Sequence, residues 1–145
     1  RDFTAELEVN AININPYLEL LEVPLSVSRS TRLEASYFSR ENSNLTIYTD
    51  PDTLVWKEQV FAGNVLDFNA SKANDTTGVL SVILLESANQ KWSENTTTKE
   101  LNSEIVWFNN TIDANIKLQQ EESKTSIDLY TNVKLLKDTI AVRFD

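Results

Sequence analysis

Apolar and polar residues alternate along much of the chain, and this two-residue period is typical of β-strands with one buried face. In the first run, from Phe3 to Ala11, the odd-numbered residues are apolar and most of the even-numbered residues are polar. The period slips by one residue at Ile12 and Ile14, before an Asn-Pro pair, which predicts that the first strand ends or bends there. Comparable alternation recurs in residues 23–27, 33–37, 45–47, 105–107, 112–118, 125–135 and 140–144.

Other segments depart from this alternation. Residues 79–85 form a nearly continuous apolar run, which favours a central strand buried on both faces. Pro24 cannot donate a ladder hydrogen bond, so the strand around it is predicted to lie at an edge or a bulge. Residues 54–61 fit a short helix and a strand equally well. Four polar segments predict turns and loops: residues 39–44, 50–52, 69–77 and 86–100.

The whole pattern predicts an all-β fold. Eight or nine short strands without a sustained helical period indicate an antiparallel two-sheet β-sandwich of the immunoglobulin or fibronectin type, with room for one short helix. The sequence contains no internal repeat and no low-complexity linker. We therefore expect a single domain over residues 1–145.

Composition and charge exclude several function classes. The 145 residues include no Cys and no His, which excludes disulfides, thiol nucleophiles, zinc sites and imidazole-based catalysis. Thirteen Lys and Arg against 22 Asp and Glu give a net charge of −9, which argues against a nucleic acid or an anionic membrane face as partner. The carboxylate pairs Asp50/Asp52 and Glu121/Glu122 are typical of turns and polar connections. We expect a non-enzymatic domain without a metal or a cofactor.

Three tryptophans, Trp56, Trp92 and Trp107, could line a ligand groove or fill the core. We expect Trp107 to lie in the core and Trp92 to pin a polar loop to the sandwich. A gap between the two sheets could hold an acyl chain. The sequence assigns no ligand-binding residue.

Five asparagines match the N-glycosylation pattern Asn-X-Ser/Thr. With 15 Asn and 27 Ser plus Thr in the chain, about three matches are expected by chance, so five is a modest excess. We expect a lumenal domain of the secretory pathway that carries glycans; the alternative is a cytosolic protein with polar turns. The candidate acceptors are Asn44, Asn69, Asn74, Asn95 and Asn109.

The chain begins at Arg1 and contains no Met. We therefore expect it to be a piece of a longer protein. Its longest nearly apolar run is far shorter than the roughly 20 residues that span a bilayer, so any membrane anchor is expected outside this sequence.

The chain resembles the type 2 late-embryogenesis-abundant domain family in its opening, where an alternating strand with an Asn-Pro turn occupies residues 6–17 and a second strand follows in residues 20–27. It also looks like the fungal vacuolar branch of that family in four segments that follow in the same order. These segments are residues 61–65, 78–82, 91–92 and 112–118.

This resemblance implies a glycosylated β-sandwich that faces the vacuole lumen and belongs to a single-pass vacuolar membrane protein. Proteins of this branch activate the phosphatidylinositol 3-phosphate 5-kinase. The implied function is regulation of phosphatidylinositol 3,5-bisphosphate synthesis by sensing or binding a lipid or a partner, with the kinase complex reached indirectly through parts of the chain outside this sequence. Two alternatives stay open: a lipid-binding or transfer module with an acyl-chain cavity, and a structural ectodomain.

The implied location bears on the charge. A vacuole lumen is acidic, and a domain without His responds to pH through its carboxylates alone between pH 7 and 5. Because ordinary carboxyl pKa values lie below this range, we expect the domain to remain folded near pH 5.

Overall fold

A computed structural model of the chain describes residues 3–29, 31–73, 78–120, 125–136 and 139–144. These residues form eleven strands and one short helix, so the all-β prediction is confirmed. In chain order the elements are β1 (Phe3–Ala11), α1 (Asn15–Leu20), β2 (Leu25–Val27), β3 (Thr31–Ser39), β4 (Asn42–Thr49), β5 (Thr53–Trp56), β6 (Gln59–Ala73), β7 (Leu80–Ser93), β8 (Thr96–Phe108), β9 (Thr111–Gln120), β10 (Ser126–Leu135) and β11 (Ile140–Phe144).

Every strand pairs antiparallel with its neighbours, and the main sheet runs in the order β1-β3-β4-β6-β7-β8-β9-β10-β11. Strand β5 pairs with the first part of β6 on one side and with β2 on the other. The predicted antiparallel, sandwich-like fold is confirmed. All of its strands are hydrogen-bonded into one continuous open sheet. Two layers form where this sheet divides into two branches, and we call this division the fork.

The fork begins at a line of irregular backbone that crosses the three longest strands, β6, β7 and β8. Gly63 in β6 has φ 64° and Glu100 in β8 has φ 56°, and Ala88 in β7 lies between them in the register. Strand β8 also carries a bulge against β9 between Lys99 and Asn102. Before this line β6 pairs with β5, and after it β6 pairs with β4. The sheet therefore divides into a short branch, β2 and β5, and a long branch, β4, β3 and β1.

The most buried side chains near the fork are mostly polar and hydrogen-bonded. Gln90 Nε2 donates to the Ser87 carbonyl at 2.6 Å, and Gln90 Oε1 accepts from Thr98 Oγ1 at 2.8 Å. Trp92 Nε1 donates to Thr98 Oγ1 at 2.7 Å, and its ring meets Phe61 edge-on at 5.2 Å between centroids. Trp92 therefore pins its segment as expected, although that segment is a strand and not a loop.

The buried polar side chains of this network explain why two segments predicted to be loops are strands. The polar stretches 69–77 and 86–100 were expected to be loops, but their described residues extend β6, β7 and β8, apart from a short turn between β7 and β8. Alternation is lost there because polar side chains such as Gln90 and Thr98 occupy buried positions in place of apolar ones. The strand count is higher than expected partly for this reason. The ambiguous residues 54–61 form the β5–β6 hairpin, whose turn holds Lys57 at φ 56°.

Helix α1 is fixed to the short branch by one side chain. Asn15 Oδ1 accepts from the backbone N–H of Val27 at 2.7 Å, and Asn15 Nδ2 donates to the Val27 carbonyl at 3.0 Å. Pro16 occupies the first turn, where its missing N–H costs nothing. Strand β1 ends at Ala11, where the slip in period predicts an end, and Pro24 precedes the edge strand β2.

Gly63→Ala tests the fork. The left-handed backbone at residue 63 is costly for any residue with a Cβ, and a Cβ there would lie 2.9 Å from the Ala88 Cβ. We expect the free energy of unfolding to fall by about 1–3 kcal/mol, measured by urea denaturation.

Ala88→Gly tests how much of this loss comes from the close approach of the two Cβ atoms, because it removes the Cβ of residue 88. The double variant should lose less stability than the sum of the two single variants, because the contact between the two Cβ atoms is absent from it. Wild-type stability in Gly63→Ala would contradict this description of the fork.

Candidate functional site

The strand register places one set of almost entirely uncharged residues on a single face of the long sheet, which we call the apolar face. Leu7 pairs with Ala35, Ala35 with Ile47, and Ile47 with Phe68, and the same face continues through every strand to β11. The apolar face consists of the odd-numbered residues in 3–11, 31–39, 43–49, 81–87, 101–107 and 127–135 and the even-numbered residues in 64–72, 112–118 and 140–144.

Lys72, which lies at the end of β6 opposite Ser43, is the one charged residue at these positions, all of which belong to described strands. The alternate residues form the polar face, which carries the other charges of the same strands. Arg32 contacts Glu34 and Asp50 at 3.3 Å each, and Lys117 contacts Asp128 at 3.3 Å. Charge is therefore concentrated on one side of the sheet, and the other side is suited to apolar contacts.

Much of the apolar face lies open. Phe3 is 57% exposed, Trp107 47% and Phe144 64%. The accessible surface of the chain is 10,555 Å², whereas a compact monomer of this mass has about 7,500 Å². The expectation that Trp107 lies in the core was wrong, because the end of β8 that carries it is not covered in the described fold. Its indole N–H donates to the Asn109 carbonyl at 2.8 Å while its ring stays on the open face.

Between the short and long branches lies an apolar notch of about 300 Å³. Val9, Leu33, Leu66 and Leu85 supply one wall from the apolar face, and the short branch supplies the other. The further residues that line the notch are Ala11, Ile14, Leu25, Val27, Thr31, Thr49, Pro51, Leu54 and Asn64. This notch corresponds to the gap that the sequence led us to consider for an acyl chain.

The few polar groups in the notch already have partners within the fold. Asn64 Nδ2 donates to the carbonyls of Pro51 at 3.1 Å and Phe61 at 2.9 Å. Thr31 Oγ1 donates to the Ser28 carbonyl at 2.9 Å, and Thr49 Oγ1 donates to the Arg32 carbonyl at 2.8 Å. Their donors are thus used internally, so the notch suits hydrocarbon and offers little to a polar ligand.

The described carboxylate pair, Asp50/Asp52, lies in one turn, with Asp50 half-buried and Asp52 exposed. Asp50 lies at the turn after β4 and binds Arg32, and Asp52 follows in the same turn. Glu121 and Glu122 lie outside the described residues. Within the described ranges, no group of three or more carboxylates is placed to hold a metal ion.

One carboxylate of the polar face has a perturbed pKa. Asn132 Nδ2 and the Tyr130 hydroxyl donate to Asp113 Oδ1 at 2.6 Å and 2.7 Å. These hydrogen bonds, the one from Asn132 foremost, lower the pKa of Asp113 because they stabilise its ionised form. Such a group is suited to a structural role, since a general acid needs a raised pKa.

Three of the four described glycosylation acceptors lie away from the apolar face, and the fourth, Asn109, borders it beside Trp107. Asn44 in β4 and Asn69 in β6 are on the polar face, where Asn44 pairs with Ser71 and Asn69 with Thr46. The expectation that these two acceptors lie in loops was wrong, because their side chains fill polar positions of paired strands. Asn95 lies in the β7–β8 turn and Asn109, at φ 53°, in the β8–β9 turn. Asn74 lies outside the described residues.

Accessibility differs among these acceptors. Asn44, Asn95 and Asn109 are exposed, whereas Asn69 is half-buried and its Nδ2 donates to Asp67 Oδ1 at 2.8 Å. Glycans on Asn44 and Asn95 would project from the polar face and from the β7–β8 turn. A glycan on Asn109 would lie at the β8–β9 turn, at the border of the apolar face beside Trp107.

Comparison of the chain with protein family models, curated proteins and solved structures found no match. Within the described ranges, no helix has the length and apolar character needed to cross a membrane.

Thermal melting against pH tests the role of Asp113. Because its pKa is lowered in the folded state, its stabilising effect is complete above the ordinary value of 3.8 and is lost as the pH falls through the lower folded-state value. We expect the same Tm at pH 7 and pH 5, and a fall only below about pH 4.

Asp113→Asn should make this acid-induced fall smaller, whereas the control Glu19→Gln on the exposed helix α1 should leave it unchanged. A collapse of Tm between pH 7 and 5 would contradict the expectation of a domain that remains folded in an acidic lumen.

Proposed function

We propose that this chain is a non-enzymatic lipid-binding domain that holds hydrocarbon chains on its apolar face. The observation that carries the proposal is the segregation of charge: the apolar face runs across nine strands with Lys72 as its single charged residue, and large side chains such as Phe3 and Trp107 lie open on it. Exposed apolar patches of this extent mark binding surfaces. The notch provides a place where the end of a hydrocarbon chain is partly withdrawn from water.

The same charge distribution indicates which lipids are bound. Recognition of a phosphorylated headgroup requires Arg or Lys near the ligand, and the one such residue of the apolar face, Lys72 at the end of β6, does not line the notch. The net charge of −9 further disfavours an anionic ligand. The proposed ligands are therefore neutral or zwitterionic lipids, recognised through their hydrocarbon chains.

The setting of this activity is part of the proposal. The acceptor asparagines outside the apolar face and the resemblance to the fungal vacuolar branch of the type 2 late-embryogenesis-abundant family support a domain in the vacuole lumen. Lipid occupancy there would regulate phosphatidylinositol 3,5-bisphosphate synthesis through the membrane-spanning and cytosolic parts of a longer protein. The kinase complex is then an indirect partner.

A structural ectodomain is the second candidate, and the surface area is the observation that favours it. The accessible surface exceeds that of a compact monomer by roughly 3,000 Å², which is within the range that an obligate protein interface buries. In that case another protein layer would cover the apolar face permanently. The purified chain would then be a stable oligomer that does not take up lipid.

An uncharged fluorescent probe, N-phenyl-1-naphthylamine, tests the proposal in solution. Val9→Asp puts a charge on the notch wall and should weaken probe binding by roughly tenfold, because the carboxylate would be desolvated. The matched control is Asn10→Asp, which adds the same charge one residue further on the polar face, beside Arg32. It should bind the probe as the wild type does.

Competition then identifies the ligand class. Phosphatidylcholine should displace the probe at least as well as phosphatidylinositol 3,5-bisphosphate with the same acyl chains. Equal binding by Val9→Asp and wild type, or a clear preference for the phosphoinositide, would contradict the proposal.

Intact-mass analysis tests the lumenal setting. When the chain is expressed through a eukaryotic secretory pathway, glycosidase treatment should remove glycan mass at the exposed acceptors Asn44, Asn95 and Asn109. Thr97→Ala destroys the Asn95 acceptor pattern without changing Asn95 and should reduce the mass by one glycan. A mass that glycosidase leaves unchanged would contradict a lumenal domain.

A further inference from the structure

The most exposed large apolar side chains of the described chain are clustered around helix α1. Leu20 is 80% exposed, Ile12 78%, Leu21 70% and Tyr17 68%, and no other large apolar side chain in the described ranges exceeds these values. We call these four residues the tip. Isolated exposed apolar residues are ordinary, but four within ten positions form a patch.

The tip is held in place by backbone hydrogen bonds. The N–H groups of Leu21, Glu22 and Val23 donate to the carbonyls of Tyr17, Glu19 and Leu18 at 3.0, 3.0 and 2.9 Å. Glu22 adopts the left-handed conformation that ends the helix, with φ 54°. The Asn15 side chain fastens the helix to β2 through Val27. The exposure of the tip therefore belongs to a folded element.

The tip lies beside the apolar notch. Ala11 and Ile14 line the notch, and Ile12 stands between them in the chain with its own side chain exposed. Leu25, two residues after the last hydrogen-bonded residue of the helix turn, also lines the notch. A surface that binds the tip therefore lies next to the mouth of the notch.

Area and charge decide which partner fits the tip. Four side chains this exposed present on the order of 500 Å², below the roughly 800 Å² that each partner contributes to a standard protein interface, but enough for shallow insertion into a bilayer. Glu19 and Glu22 flank the tip, and residues 3–28 contain no Lys or Arg. An anionic surface would repel this segment, so the fitting surface is a zwitterionic one.

We infer that the tip is a membrane-docking element that inserts Ile12, Tyr17, Leu20 and Leu21 into a zwitterionic bilayer and places the notch where a hydrocarbon chain can enter it from the membrane. Tyr17 is of the residue type that favours the boundary between headgroups and hydrocarbon. The inference that the chain docks on a membrane depends only on the exposure and charge of the tip. The further inference that docking loads lipid into the notch rests on the function proposed above.

Flotation of the chain with phosphatidylcholine vesicles tests the inference. Leu20→Ser combined with Leu21→Ser should reduce the vesicle-bound fraction by roughly tenfold, since two exposed leucines supply much of the buried apolar area. The matched control Leu136→Ser removes an exposed leucine from the β10–β11 turn and should float as the wild type does. Vesicles containing phosphatidylserine should bind less protein than phosphatidylcholine vesicles.

The naphthylamine probe separates this inference from the proposed function. The Leu20→Ser/Leu21→Ser variant should bind the probe normally, which would show that the fold and the notch are intact. Flotation equal to that of the wild type, or stronger binding to phosphatidylserine vesicles, would overturn the docking role. A third outcome is that neither the wild type nor the variants bind the probe, while flotation is still weakened by the tip substitutions. That outcome would support the docking role and contradict the proposed function.

Discussion

A β-sheet with alternating apolar and polar residues has to remove its apolar side from water, and in this chain the described fold does so only in part. The short branch of β2 and β5 covers the notch beside Leu66 and Leu85. From there to β11 most positions of the apolar face are half-buried and Leu101 is buried, but Trp107, Ile127 and the apolar-face residues of β11 are exposed. Because burial of apolar area is the main stabilising contribution to folding, such a surface is expected to be matched by a ligand or by another protein layer.

The corner itself is built from polar groups. Gly63 and Glu100 introduce left-handed residues into β6 and β8, on either side of β7, and the buried amide of Gln90 links β7 and β8 through Thr98. A fully satisfied polar network fixes one geometry, since any shift would leave buried donors or acceptors without partners. The fork beside the notch is therefore fixed by directional hydrogen bonds, while the walls of the notch are mostly hydrocarbon. This division of roles suits a site that binds apolar chains without collapsing when it is empty.

Much of this fold follows from the sequence, because the two-residue period in residues 3–11 or 112–118 fixes both strand and face. The pairing order and the fork could not be predicted in the same way. Residues 86–100 carry no alternation, since Ser87, Gln90 and Thr98 are polar at buried positions, and only the three-dimensional network explains that choice. In each strand, the near absence of charge at alternate positions predicts which residues share the apolar face. The prediction that Trp107 lies in the core was wrong because the sequence does not distinguish a covered face from an open one. The described acceptors Asn44 and Asn69 illustrate the same limit, since polar strand positions resemble loops.

The central claim is that the open face holds lipid, and native mass spectrometry of the chain purified from eukaryotic secretory expression without detergent tests it most directly. The account predicts a monomer that carries neutral or zwitterionic lipid, which is released on activation and identified in the organic extract. A lipid-free monomer, or a stable lipid-free oligomer whose subunits cover one another, would contradict it.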